Sequence, residues 1–376
     1  MRVVIAIDSF KGSMTSMEAG YAAADGVRRV FPEADICVCP LADGGEGTVE
    51  ALTAGMGGIL FKTKVTGPLG QPVECPYGVV EKEGLGIIEM AGAAGITLVP
   101  EEKRNPLYTT TYGVGEVIRE AINKGCRRFL IGIGGSATND GGLGMLQALG
   151  YEFICRDGHE ALRGAQGLAD IIEIRDEHVM PELKECVFHV ACDVTNPLCG
   201  SKGASVVYGP QKGATADMVT QMDEWLAHFA AITGTYSSKA NSLTPGAGAA
   251  GGLGFAFLAY TNAVLESGVK IVLEEIQLEH FIKEADLVIT GEGRLDGQTV
   301  MGKAPIGVAK LAKKYNKRVL AFSGSVTRDA RACNEEGIDA FFPILRSVVT
   351  LEEAMNIENA RENMRDTVEQ AIRLLL

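Results

Sequence analysis

Short apolar runs alternate with helix-length amphipathic stretches at both ends of the chain, and this alternation constrains the fold more than any other feature. Val3 to Ile7 reads as a buried strand, and Met17 to Phe31 as a helix whose start carries Thr15 and Glu18 at capping-box spacing. Ile36 to Cys39 is a second strand, followed by a glycine-flanked turn from Leu41 to Thr48 and a helix ending in the glycines at 55, 57 and 58. The pattern resumes with a strand at Leu287 to Thr290, a helix at Pro305 to Lys314, and strands at Val319 to Phe322 and Ala340 to Pro343. Thr350 and Glu353 then cap a last helix, with Met364, Val368, Ala371, Ile372 and Leu375 on one face. Strands alternating with helices imply a doubly wound parallel sheet.

The middle differs. Lys62 to Met90 places short β-prone runs between turn signals at Gly67-Pro68, Gly70 and Gly84, which predicts antiparallel strands. At 376 residues the chain exceeds the size, about 250 to 300 residues, at which single cores stop growing. The expectation is therefore a discontinuous α/β domain at about 1–60 plus 270–376, with a second α/β domain inserted at 61–269. Ligands of open parallel sheets bind beyond the carboxyl ends of the strands, so the cleft between the domains is the expected site.

Partners are bounded by charge. A formal net charge of −13 argues against nucleic acid or an anionic membrane surface, both of which need a basic footprint. Nine cysteines without a C-x-x-C pair read as reduced cytoplasmic thiols, and five histidines without metal-ligand spacing argue against a histidine-bound zinc. Met1 to Ile7 is too short for a signal-peptide core, and no run approaches the length of a membrane span. A small-molecule substrate is the expected partner, and a homo-oligomer stays open.

Chemistry is concentrated in glycine-rich loops that follow strands. Gly132 to Gly142, GIGGSATNDGG, joins a strand at Phe129 to Ile133 to a short helix at Leu143 to Leu149, and surrounds Ser136, Thr138, Asn139 and Asp140 with glycine. Backbone N–H groups freed at such a turn converge on anion oxygens, and glycine permits close approach. Asp8-Ser9-Phe10-Lys11-Gly12-Ser13 sets a carboxylate, hydroxyls and an ammonium at a helix start. Asp43-Gly44-Gly45-Glu46-Gly47-Thr48 sets two acids among glycines, and isolated Asp residues on several loops suffice for Mg²⁺, which completes its shell with water and phosphate oxygens.

Asp193, with Thr195 and Asn196, follows the strand Val187 to Ala191 and suits either a hydroxylated substrate or a general base. Gly291-Glu292-Gly293-Arg294-Leu295-Asp296 combines acid and arginine at a strand end, as a metal-bound triphosphate requires. Two pattern matches carry less. Gly297 to Lys303 fits a phosphate-loop pattern but has Ala304 where a metal-binding hydroxyl belongs, and Gly246 to Gly251 fits a dinucleotide fingerprint but follows a polar, strand-poor segment. The Gly246 to Gly254 stretch reads more simply as a hinge or helix start with a tightly packed face.

Taken together, DSFKGS at Asp8, PLADGGEGT at Pro40, GIGGSATNDGG at Gly132, CDVTNPLCG at Cys192, GAGAAGGLGF at Gly246 and TGEGRLDGQT at Thr290 resemble the bacterial glycerate kinase family, in the branch related to glycerate 2-kinases. Met14, where that pattern has leucine, is an apolar exchange. The resemblance implies ATP-dependent phosphorylation of D-glycerate to 2-phosphoglycerate, Mg²⁺ as cofactor, and Mg-ATP in an interdomain cleft. It also implies a flavodoxin-like doubly wound domain with a second α/β domain of mixed sheet inserted. Transfer to the 3-hydroxyl, a non-catalytic hydroxy-acid sensor and a nucleotide-dependent oxidoreductase are the alternatives.

Phosphoryl transfer asks mainly for positioned charge. On that basis Lys11 and the stretch Gly134, Gly135, Ser136, Ala137, Thr138, Asn139, Asp140 and Gly141 are expected to cradle phosphate or the glycerate carboxylate. Asp8, Ser9, Thr195, Asn196, Gly291, Glu292 and Gly293 are expected to contact substrate or phosphate. Arg294 is expected to neutralise the transferring group, Asp43 and Asp296 to hold magnesium, and Asp193 to act as the base.

Overall fold

A computed structural model describes residues 1–45 and 47–376, so Glu46, the second acid of the Asp43 loop, lies outside the described residues. The chain divides into two compact units, one made of Met1–Asp43, Glu50–Gly57 and Val269–Leu376, the other of Gly44–Val49 and Gly58–Gly268.

The first unit is built on five parallel strands in the spatial order Ala340–Pro343, Arg318–Val326, Leu287–Leu295, Arg2–Ile7, Asp35–Pro40. Numbered within the unit this is 2-1-3-4-5, the flavodoxin-like order, and it reverses direction between its first and third strands. Val3, Ile5, Ile7, Leu287, Ile289 and Phe322 share one apolar core with Val27 of the helix Ser16–Val30 and with Met364, Val368 and Ile372 of the helix Ile357–Arg373. The capping box forms at Thr15, which accepts from the Glu18 N–H at 3.3 Å while its own N–H donates to Glu18 Oε2 at 2.9 Å.

Two sequence expectations need correction here. Thr350 and Glu353 do form a capping box, but the helix they start stops at Met355, and Asn356 then caps a separate helix by accepting from the N–H groups of Glu358 and Asn359. The Gly291 stretch is strand rather than loop as far as Leu295, because Arg294 and Leu295 stay in register with Ser325 and Val326.

The second unit holds a six-stranded mixed sheet in the order Asn262–Glu266, Val187–Ala191, Arg128–Gly132, Leu85–Glu89, Pro72–Val80, Ile59–Thr66. The first four are mutually parallel, and the last two pair antiparallel as the turn signals predict. Gly132 and Ala191 are register partners, so the loops that follow them leave the sheet side by side. A small two-stranded sheet, Glu152–Cys155 with Ile171–Arg175, completes the unit. Its core is aromatic, with Phe129 and Phe188 stacked 4.8 Å apart and Phe153, Phe229 and Phe255 fully buried. Among the described residues no helix is long and apolar enough to cross a membrane.

Candidate active site

The strand order of the first unit dictates where its ligand groups can gather. Asp8 follows Ile7 on the first strand and Glu292 follows Gly291 on the third, and the Asp8 N–H donates to the Gly291 carbonyl at 2.9 Å across the point where the order reverses. A cavity of about 460 Å³ opens there, lined by Asp8, Ser9, Phe10, Lys11, Asp43, Glu292, Gly293, Arg294, Asp296 and Lys303. Its other wall is apolar, with Ile344, Leu345, Leu351 and Met355. One side of the cavity therefore carries charge and the other can cover a flat apolar group.

The charged wall is closely knit. Asp8 is 8% exposed and takes the Ser9 N–H at 2.7 Å; burial, then the nearby Asp43 and Glu292 carboxylates, push its carboxyl up to about 7. Burial also raises Glu292, against the opposing pull of the Thr299 hydroxyl, which donates at 2.7 Å, and of Lys303 at 3.7 Å. Lys303 Nζ stands 3.9 Å from Asp296 as well, Arg294 Nε is 3.3 Å from Asp296, and Lys11 Nζ is 3.9 Å from Asp43. Among the described residues no three His, Cys, Asp or Glu side chains close into a metal cage. Paired carboxylates of this kind fit Mg²⁺, a hard cation that needs only one or two of them beside phosphate and water oxygens.

Gly291 lies within the strand, and a Cβ there would come 2.0 Å from the Phe322 carbonyl, so packing alone already requires glycine at this position. Lys303, by contrast, was discounted with its phosphate-loop pattern. It precedes the helix Ala304–Lys313, and its ammonium reaches the acids of the neighbouring strand end.

In the second unit the Gly132–Gly142 loop is organised around one buried carboxylate. Asp140 is fully buried; Oδ2 accepts from the Thr111 N–H and Oγ1, both at 2.8 Å, and from the Gly144 N–H at 3.3 Å, and Oδ1 accepts from the Gly142 N–H at 3.2 Å. Asn139 Nδ2 donates to Ser205 Oγ at 2.8 Å, the Ala137 N–H to the Ala94 carbonyl at 2.9 Å, and the Gly141 N–H to the Gly251 carbonyl at 2.9 Å. The surface that the loop exposes is thus narrower than the sequence suggests. Ala137, Thr138, Asn139, Asp140 and Gly141 build the loop from within, and only Gly134 and Gly135 are exposed, with Ser136 at their edge.

Behind the loop lies a residue that sequence reasoning missed. Lys212 is 2% exposed, and its Nζ donates to Ser136 Oγ at 2.7 Å and to the Thr138 carbonyl at 2.6 Å. Desolvation pushes its ammonium down to about 7, with Asp140 pulling the other way. The GAGAAGGLGF segment also finds its place here. Ala250, Gly251 and Gly252 all have positive φ, and a Cβ at Gly251 would sit 2.1 Å from the Thr138 carbonyl, so the kink lets one backbone dock on another.

Asp193 and Thr195 are exposed beside this loop, with Asp193 Oδ1 accepting from the Gly268 N–H at 3.2 Å. Asn196 is half-buried and held by two bonds, its Nδ2 donating to the Lys202 carbonyl at 2.8 Å and its Oδ1 accepting from Tyr208 Oη at 2.7 Å, which leaves one N–H and one lone pair of the amide for a ligand.

A sequence model described as the glycerate kinase family matches residues 3–376. The chain belongs to the glycerate kinase family. It is 48% identical over 367 residues to a glycerate kinase of Bacillus subtilis (strain 168), covering 98% of this chain and 96% of that one. It is 46% identical to the glycerate 2-kinase of Escherichia coli (strain K12), with 98% of each covered. A crystal structure from Salmonella typhimurium LT2, assigned as glycerate kinase 2, superposes with a TM-score of 0.92 at 44% identity, covering 100% of this chain and 98% of that one. Members of this family are kinases, which sets aside the sensor and oxidoreductase alternatives for this chain.

Proposed function

We propose that the protein transfers the γ-phosphoryl group of ATP to the 2-hydroxyl of D-glycerate, giving 2-phosphoglycerate, ADP and a proton. The observation that carries this reading is the likeness, over nearly the whole chain, to the E. coli glycerate 2-kinase. The first unit's cavity supports it, since an apolar wall suits a nucleobase and a wall with three cations suits a triphosphate.

In this reading Lys11, Lys303 and Arg294 hold phosphate oxygens, and Ser9 and the Gly293 backbone lie against them. Asp43 and Asp296, with Asp8 and Glu292 beside them, would hold Mg²⁺, which neutralises triphosphate charge when bound. In the second unit, exposed Asp193 takes the proton of the substrate hydroxyl and Thr195 orients it, while the Gly134–Ser136 turn receives an anionic group. The nine free cysteines suit a reducing compartment such as the cytoplasm.

ADP release should depend on both D-glycerate and Mg²⁺, and ADP formed equally without glycerate would contradict the reading. Asp193→Asn should lower kcat by about 10²-fold or more with an unchanged unfolding midpoint, and near-normal turnover would remove Asp193 from the mechanism. Lys303→Met should raise KM for ATP by about tenfold, the scale of one lost charge-assisted contact, and leave KM for glycerate alone. A steady-state titration of each substrate distinguishes the two constants.

A further inference from the structure

We propose that Lys212 is the buried counter-charge of a carboxylate seat formed by Gly134, Gly135 and Ser136, so that this seat, and not the cations of the first unit, selects a hydroxy acid over a neutral polyol. The inference rests on the reading above and names which part of the substrate this loop holds.

Burying an ammonium is costly unless an anion or a full set of hydrogen bonds compensates, and buried lysines with a purely structural role are paired with carboxylates. Among the described residues Lys212 has no such ion pair. Both of its hydrogen-bond acceptors, Ser136 Oγ and the Thr138 carbonyl, are neutral. The charged group that faces it, Asp140, already spends its two oxygens on the backbone and hydroxyl donors of Thr111, Gly142 and Gly144. Consistent with that shortfall, burial holds the Lys212 ammonium down at about 7. An arriving anion would supply a counter-charge closer to the ammonium's hydrogen-bonding shell than Asp140, which is tied to its own donors.

The route from Lys212 to the surface is short. Ser136 Oγ accepts from Lys212, so its hydrogen is left to donate outward, and Ser136 is 8% exposed beside two exposed glycines. Among the described residues neither the Gly134 nor the Gly135 N–H has an acceptor. A Cβ at Gly134 would meet nothing within 4 Å, so packing does not require glycine there; bare backbone open to solvent is what a close-approaching carboxylate needs. Two amides and one hydroxyl backed by a positive charge match the oxygens of a carboxylate, and a polyol offers the seat no charge to meet.

Lys212 would then be a positioning residue, acting on substrate through Ser136. The test is calorimetric binding of D-glycerate and of glycerol, without ATP, to the wild-type protein, Lys212→Met and Ser136→Ala, followed by steady-state kinetics. D-Glycerate affinity should fall by about tenfold in Ser136→Ala and further in Lys212→Met, KM for glycerate should rise in step, and neither KM for ATP nor the affinity measured for glycerol should move. Ser136→Ala keeps the test alive if Lys212→Met does not fold.

Unchanged glycerate affinity in the folded variants would overturn the seat, as would a rise in KM for ATP instead, which would make the loop a phosphate site. Turnover that persists with unaltered binding would sink this inference and spare the kinase reading. Glycerate binding that weakens as described in a protein showing no turnover would do the reverse.

Discussion

Asp8→Asn is expected to cost the protein its activity while making it harder to unfold. Asp8 directly follows the first strand of its unit in a place with little water and two neighbouring carboxylates, and its carboxyl stands at about 7 against 3.8 for the unperturbed group. Below 3.8 the group is neutral in both folded and unfolded chains and imposes no penalty. Between 3.8 and about 7 the unfolded chain ionises while the folded one keeps its proton, so stability declines with rising pH. Above that window the folded protein carries the full cost, on the order of a few kcal/mol.

Asparagine fits the same space and cannot ionise, so the unfolding midpoint at pH 8 should rise by several degrees over wild type, and the gain should vanish near pH 4. Turnover should fall by about 10²-fold or more, because an amide cannot replace a carboxylate beside a cation and a triphosphate. Thermal melts at the two pH values check the first half, and steady-state assays the second. A variant no more stable than wild type at pH 8 would mean that Asp8 is not held in a strained ionisation state.

The largest loss of stability should come from Asp140→Ala. Its carboxylate gathers three backbone N–H groups and a hydroxyl from two segments of chain, and it supplies the negative field that supports Lys212. Alanine leaves those donors buried without an acceptor and removes the opposite charge nearest a buried ammonium, a cost of about 3–5 kcal/mol. Asp140→Asn keeps an acceptor oxygen and should lose roughly half as much. Denaturant midpoints for the pair would show this order, and equal, small losses would mean that solvent or a rearranged loop satisfies the donors. Such a loss would also separate Asp140 from ligand binding, since the damage precedes any substrate.

Much of this was legible because it is local. Capping at Thr15 is decided by residues three apart, and the strands at Arg2–Ile7 and Arg128–Gly132 are announced by uninterrupted apolar runs. Polar groups gather at strand ends and in the loops that leave them, so Asp8, Lys11, Asp43, Glu292, Arg294 and Asp296 could be singled out, and all six line one cavity. The break at Asn356 was not legible, because helical periodicity runs through it and asparagine is a weaker stop signal than glycine or proline.

Lys212 was hidden for a different reason. It comes from a short turn between Pro210 and Lys212 and reaches Ser136 across 76 positions of sequence. No spacing rule covers such a contact. The same non-local packing turned Thr138, Asn139 and Asp140 inward, where their residue types alone suggested ligand contact.

The most direct measurement is ATP turnover with Mg²⁺ and D-glycerate, coupled to enolase with phosphoglycerate mutase left out. Enolase dehydrates 2-phosphoglycerate alone, so phosphoenolpyruvate should accumulate together with ADP. ADP without phosphoenolpyruvate would contradict transfer to the 2-hydroxyl, and no glycerate-dependent ADP would contradict glycerate as the acceptor.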